Sequence, residues 1–352
     1  MKKAISLFII VFMLVALLCS CAGGAGESTA AGTSSAAGGD ASVSAAPESS
    51  TEPEAEKAVI RIAGLKGPTS IGMVSLMEKS EKGETENKYE FTVAGAADEI
   101  TPKLIKGELD AAAIPCNLAS VLHNNTKGNI RILAVNTLSV LYIVTKNTDI
   151  SSVEDLRGKT IYSTGKGTTP EYTLRYVLGG NGIDPDKDVT VDFKSEATEV
   201  VAALSAAESG IAMLPQPYVT VAAGKVEGLK IALDIGAEWK KLDSESEVIT
   251  GVLAVRADFA DEHPEEVAKL LEEYAASVSA VKGDTDAAAE LVEKFGLFKA
   301  AIAKAAIPKC NIVFISGDEM KTPVTKYLTV LYEQNAKAIG GKLPGDELFL
   351  IP

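Results

Sequence analysis

Histidine is scarce in this chain: 352 residues carry two, His123 and His263, and neither has a companion at metal-ligand spacing. That shortage argues against a metal centre and against histidine-driven hydrolysis, and no G-x-S-x-G nucleophile elbow is there to supply the latter. Aromatics make up only 5% of the residues, which weakens a sugar-binding reading. Positive charge is in deficit too, with 34 Lys and Arg against 48 Asp and Glu, a formal net charge of −14. Nucleic acid and anionic membrane faces are therefore poor partners, and the acidity reads as a solvated surface that keeps the protein soluble.

Long apolar runs are missing as well. The longest, residues 4–18, falls short of the roughly 20 needed to span a bilayer, and it follows Met1-Lys2-Lys3. Charged start and short apolar stretch read as a secretory signal, residues 1–20. Leu18-Cys19-Ser20-Cys21 closes it and resembles the bacterial lipoprotein cleavage box, in which the second cysteine, here Cys21, takes the lipid. Residues 21–57 are Ala, Gly, Ser, Thr and Glu with almost no large apolar side chain, so they cannot bury enough surface to offset ordering entropy and read as a tether. Of the four cysteines this leaves Cys116 and Cys310, which fit either a bridge in an oxidising compartment or two buried thiols.

What the chain does have is two glycine corners at strand-to-helix junctions. Residues 159–174 read as a strand, a tight turn at Gly165 and Gly167, and a helix start with Thr168 and Thr169 as N-cap candidates and Pro170 and Glu171 in the first turn. A similar corner follows a strand at 59–63, where Gly64-Leu65-Lys66-Gly67-Pro68-Thr69-Ser70 leads into a helix near Ile71. Helix starts offer amide donors and partial positive charge to a ligand acceptor. Gly165 to Pro170 mimics a dinucleotide fingerprint, but proline holds its third glycine position. Arg157-Gly158-Lys159-Thr160 echoes the end of a P-loop, yet Val153 stands where the first glycine belongs. No nucleotide, and no other cofactor, is expected.

Between and beyond these corners, apolar strands alternate with amphipathic helices. Strands are expected at 89–94, 109–114, 189–193, 211–214 and 229–233, with a long extended run at 130–146. Helices are expected at 72–82, 98–107, 117–125, 169–179, 196–207 and 217–224. The alternation predicts an α/β protein of two doubly wound lobes, each with a parallel sheet covered on both faces. The runs 138–146 and 249–256 read as crossover strands forming a two-stranded hinge. Residues 58–140 with 255–352 make the first lobe and 141–254 the second. From His263 onward the chain reads as helical, at 264–281, 284–295, 299–306 and 318–339, returning to cover the first lobe.

Signal, tether and two lobes with two crossings resemble the solute-binding lipoproteins of ABC importers, of the type II periplasmic-binding-protein fold. The nearer resemblance is to the branch for nitrate, taurine, alkyl sulfonates, riboflavin or thiamine-pyrimidine precursors. Its markers, specific in their order and not singly, are Gly67-Pro68-Thr69-Ser70, residues 106–115 with Asn117, 152–161, 165–172, 209–218 and 259–265. The resemblance implies a monomer on the extracytoplasmic face of the cell membrane, held by its lipid. It would capture a small solute between the lobes and deliver it to ABC permease subunits, with no catalysis. The implied lining is Lys66, Pro68, Thr69, Ser70, Pro115, Cys116, Asn117, Asn136 and Thr137 from the first lobe. Gly167, Thr168, Thr169, Pro215 and Gln216 come from the second. Lys66 and Lys166 beside helix starts suit an anion, and Tyr142, Tyr172, Tyr218 or Trp239 suit either a planar heteroaromatic ring or the core. A solute-sensing receptor would share every one of these features. A pyrimidine-synthase-like cousin would need a histidine- and cysteine-rich site that Cys116 alone does not supply.

Overall fold

The computed structural model describes residues 58–352, so the expected signal segment, Cys21 and the tether lie outside the described residues. The described residues belong to one compact unit, Ala55–Pro352. Its strands in chain order are β1 (Val59–Leu65), β2 (Lys88–Ala94), β3 (Ala111–Pro115), β4 (Ile130–Thr137), β5 (Leu141–Lys146) and β6 (Thr160–Ser163). They continue with β7 (Thr190–Phe193), β8 (Gly210–Pro215), β9 (Lys230–Asp234), β10 (Gly251–Arg256) and β11 (Ile312–Ser316). The helices are α1 (Pro68–Ile71), α2 (Val74–Glu81), α3 (Ala97–Lys106), α4 (Cys116–Asn125), α5 (Thr169–Gly180), α6 (Ala197–Ala206) and α7 (Tyr218–Ala223). After them come α8 (Ile235–Leu242), α9 (Ala257–Glu262), α10 (Pro264–Gly283), α11 (Thr285–Lys294), α12 (Ala300–Ala306) and α13 (Lys321–Gln334).

The strands form two sheets, ordered β11-β4-β10-β3-β1-β2 and β7-β6-β8-β5-β9. Central strands such as β3, every residue of which is buried, are apolar on both faces because helices cover both. The sheets are mixed, which corrects the expectation of parallel ones. In the first, β1 runs parallel to β2 and β3, but β10 lies antiparallel between β3 and β4. In the second, β6 runs parallel to β7 and β8, but β5 is antiparallel to β8 and β9. The cause is the double crossing. A strand arriving from the other sheet enters at the end the parallel strands leave by, so it must run against them.

Several elements differ from expectation for local reasons. The extended run at 130–146 is interrupted after Thr137, where the chain passes from one sheet to the other. Residues 68–81 split into α1 and α2 at Gly72 and Met73. Beyond His263 the chain is not wholly helical, since β11 adds an edge strand beside β4. The last expected helix is a 3-10 turn, α13, and a second 3-10 turn over Ala336–Ile339 whose start is capped by Asn335. Helix α8, capped by Asp234 accepting from the amides of Gly236 and Ala237, was not anticipated.

One apolar cluster fills the space behind both sheets and joins them, while two others occupy the outer faces. Helices α2, α10 and α11 pack together over the first sheet. Helix α13 departs from the expected cover of that lobe alone, because it packs against α4 and α5, one helix from each sheet. Its Tyr327 meets fully buried Trp239 at 5.6 Å between ring centroids, and Tyr176 stands 4.1 Å from the same indole. At the far end of the first sheet, buried Asp110 is held by Arg61 through Nε at 2.8 Å and Nη2 at 2.6 Å, which satisfies an otherwise costly charge. Cys116 and Cys310 are free and buried, and burial pushes both thiols up, Cys310 to about 12. Neither is a ready nucleophile.

Candidate functional site

In each sheet three strands running parallel hand the chain to a helix at their carboxyl ends. Strands β1, β2 and β3 lead into α1, α3 and α4 in the first sheet, and β6, β7 and β8 into α5, α6 and α7 in the second. Ligands of open α/β sheets sit at such carboxyl ends. Between the two sets of corners lies a cleft of about 710 Å³, within the range of small-molecule sites. Residues 65–69, 95–98, Pro115 and Leu118 form one wall, and 164–170, Lys194, Ser195, Pro215 and Tyr218 the other. Val140, Leu141 and Thr250, from the crossings, also line it.

The corner at 164–170 owes its shape to glycine. Gly165 and Gly167 have φ of 75° and 76°, the left-handed region, and a side chain at Gly165 would collide with the ring of Pro170. Thr168 holds the N-cap position of α5, but its hydroxyl makes no cap bond and donates to the Gly165 carbonyl at 2.8 Å. The expected capping role falls to Glu171, which accepts the Gly167 N–H at 2.6 Å.

Of the implied lining, Lys66, Pro68, Thr69, Pro115, Gly167, Thr168, Thr169 and Pro215 stand on the cleft wall. Ser70, Cys116, Asn117, Asn136, Thr137 and Gln216 are buried behind it. Asn117 donates to the carbonyls of Gly167 at 3.3 Å and Ala338 at 3.0 Å, and accepts from the Thr169 hydroxyl at 3.3 Å. Asn136 accepts from Thr137, and Gln216 from Thr220. Among the proposed stacking residues only Tyr218 reaches the cleft. Its hydroxyl donates across it to the Lys66 carbonyl at 3.3 Å, its ring meets Phe298 edge-on at 5.2 Å, and burial pushes its ionisation up to about 12. Trp239 is core, Tyr172 packs against the joining cluster, and Tyr142 against the outer one.

The sequence reading missed the starts of α3 and α6, with Gly95, Ala96, Asp98, Lys194 and Ser195. The rule that found the two glycine corners, a strand end followed by a helix start, would have found these had it not been tied to Gly-Pro and Gly-x-Gly signals. Lys66 and Lys166 have no carboxylate partner among the described residues, whereas Lys194 is paired with Asp192 at 2.9 Å. Among those residues no group of three or more His, Cys, Asp and Glu could hold a metal ion, and no helix is long and apolar enough to cross a membrane.

Solved structures share this architecture. An ABC transporter protein from Parabacteroides distasonis is 24% identical, with 83% of this chain and 99% of that one covered and a TM-score of 0.68. The periplasmic aliphatic sulphonate binding protein SsuA of Escherichia coli is 14% identical over 84% of this chain and 92% of its own, with a TM-score of 0.66. The ligand-binding component of an ABC-type import system of Staphylococcus aureus, solved with zinc bound, is 16% identical over 84% of this chain and 96% of its own, also at 0.66. These likenesses establish the periplasmic-binding-protein fold. No curated protein matches the sequence. The model of the NMT1-like family matches residues 70–295, well over half of the chain, and the protein therefore belongs to that family.

Proposed function

We propose that this protein is an extracytoplasmic solute-binding component of an ABC importer, anchored by a lipid on Cys21, which captures a small solute between its two sheets and passes it to permease subunits. The cleft carries this reading: loops from both sheets converge on one cavity of about 710 Å³, and contacts such as Tyr218 to Lys66 cross it. The chemistry of the walls supports binding without catalysis. They hold backbone amides, hydroxyls, prolines and leucines together with Lys66, Lys166, Lys194 and Asp98, while both cysteines are buried thiols and both histidines lie off the wall. The bodies expected at 58–140 with 255–352 and at 141–254 would close on each other, with the second boundary drawn before Gly251, because β10 (Gly251–Arg256) pairs within the first sheet. Two solved structures, one described as the ligand-binding component of an ABC-type import system and one as a periplasmic sulphonate-binding protein, lend weight to the role.

The test is a thermal-shift screen of the full chain against sulfonates, pyrimidines, flavins and amino acids. A solute at a hundredfold excess over its Kd should add about 2.7 kcal/mol. Thr168→Arg places a long charged side chain on the wall, so it should abolish that shift. The solute-free melting should stay within about 0.5 kcal/mol, as expected of a substitution away from the core. A shift that survives Thr168→Arg would move the site out of this cleft.

A further inference from the structure

Three helices open onto the cleft with a glutamate in the same place. In α3, α5 and α6 it stands four residues beyond the last loop residue but one: Glu99, Glu171 and Glu199. Each carboxylate folds back onto its own loop. Glu99 accepts from the amides of Gly95 at 3.0 Å and Ala96 at 2.9 Å, Glu171 from Gly167 at 2.6 Å, and Glu199 from Ser195 at 3.0 Å. All four donors belong to residues on the cleft wall. These amides lie in the loop at the mouth of each helix start, three just before the N-cap and one, Ala96, at it. An oxyanion approaching the first-turn amides therefore meets a carboxylate already held there.

The fourth long helix to start at the wall, α4, offers no substitute. It opens on buried Cys116 and apolar Leu118, and the Cys116 amide donates to the Thr250 carbonyl at 3.4 Å. Lys66 and Lys166 are exposed, so water screens them, and Asp98 and Glu196 stand nearby, the latter with its carboxylate reaching Gly95. Away from these helix starts the wall is largely apolar, from Leu65, Pro68, Pro115, Leu118 and Pro215, with Thr250 and the Tyr218 hydroxyl, which donates to the Lys66 carbonyl and is left able to accept. The Thr250 hydroxyl is buried and has no partner. Buried polar groups need one, and a hydroxyl serves a neutral donor or acceptor equally well.

We infer that the solute is an uncharged organic molecule with a hydrogen-bonding edge, gripped by the apolar wall and these hydroxyls, and that the three glutamates exclude oxyanions from the helix starts. The inference rests on the solute-binding reading. An incoming sulfonate, carboxylate or phosphate must displace a carboxylate that is covalently held at high effective concentration, or lie against it at the cost of like-charge repulsion.

The experiment compares probes by thermal shift on the full chain at pH 7.5, in low and high sodium chloride. Uracil, nicotinamide and riboflavin are the neutral probes, methanesulfonate, butanesulfonate and inorganic phosphate the anionic ones, and choline the cationic one. A neutral probe should raise the melting temperature, and its affinity should change less than about twofold with salt, because no charge is there to screen. The anions and choline should give no shift. In Glu171→Gln, and in the triple variant with Glu99→Gln and Glu199→Gln, phosphate or methanesulfonate should bind at least about tenfold more tightly than to the wild type. Stabilisation of the wild type by an anion or by choline would overturn the uncharged solute while leaving solute binding intact. Variants that fold and stay indifferent to anions would remove the role given to the glutamates. Silence from every probe would count against solute binding itself, and this inference would fall with it.

Discussion

All three polar contacts of Asn117 go to protein atoms: its amide nitrogen to Gly167 and Ala338, its oxygen to the Thr169 hydroxyl. The side chain thereby ties α4 of the first sheet to the corner of the second and to the C-terminal 3-10 turn. Removing it strands the buried Ala338 carbonyl, so Asn117→Ala should cost about 1–3 kcal/mol in urea unfolding. Solute affinity should fall less than stability does. The reverse pattern, full stability with binding lost, would make Asn117 a ligand contact. Its place beside the cleft was legible in the sequence because it follows Pro115 at the end of a strand. Its use was not, because the partner Ala338 lies 221 residues further along the chain. Thr168 shows the same limit at short range: the N-cap position could be read from Thr-Thr-Pro-Glu, but not that Glu171 and not Thr168 supplies the capping acceptor.

Among the elements, those with strong local signals were legible. Strand β3 is continuously apolar and flanked by helices, α3 ends on Gly107 with φ of 75°, and the glycine corner precedes α5. Most of what escaped depends on partners distant in sequence. The five residues of β11, Ile-Val-Phe-Ile-Ser, carry a local strand signal that the helical reading after His263 passed over, whereas the direction of β5 and β10 is set by the crossings and by nothing in their own composition. Helix α13 is the sharpest case, since its period was readable but not its position between α4 and α5. Tyr327 is the test of that position. Its ring is fully buried against Trp239, whereas its hydroxyl lies buried beside the hydroxyls of Thr169 and Thr173 without a bond of good geometry to either. Tyr327→Ala should therefore lose about 3–5 kcal/mol in denaturant unfolding. Tyr327→Phe, which removes only the weakly bonded hydroxyl, should change stability by less than about 1 kcal/mol. Equal losses from the two variants would show that the hydroxyl, and not the ring, holds the helix in place.

At the scale of the molecule, two sheets are joined by the crossings after Thr137 and before Gly251, and the cleft between them is spanned by few contacts. Those contacts include the Tyr218 bond to Lys66, the Asn117 bonds to Gly167 and to the Thr169 hydroxyl, and the edge-on meeting of Tyr218 with Phe298. Each neutral hydrogen bond is worth about 0.5–1.5 kcal/mol net, so these polar contacts by themselves favour the spanned cleft by only a few kcal/mol. A solute can shift that balance only by its difference in affinity for the two arrangements, and going from 1:99 to 99:1 takes about 5.5 kcal/mol. Phe298 is the useful lever because it sits just before α12, off the cleft wall, and packs against Tyr218 of the other side. Phe298→Ala removes one spanning contact without altering any residue that faces the solute. By small-angle scattering the solute-free variant should have a larger radius of gyration than the wild type, and saturating solute should bring the two to the same value. Its apparent affinity should weaken by the factor through which the spanned population has fallen, because binding must then restore that population. A variant that matches the wild type in size without solute would mean that Phe298 does not help to hold the sheets together across the cleft. Failure of saturating solute to compact the expanded variant would mean that the solute does not draw them together, and closure would then be lost as the means by which this protein holds its cargo.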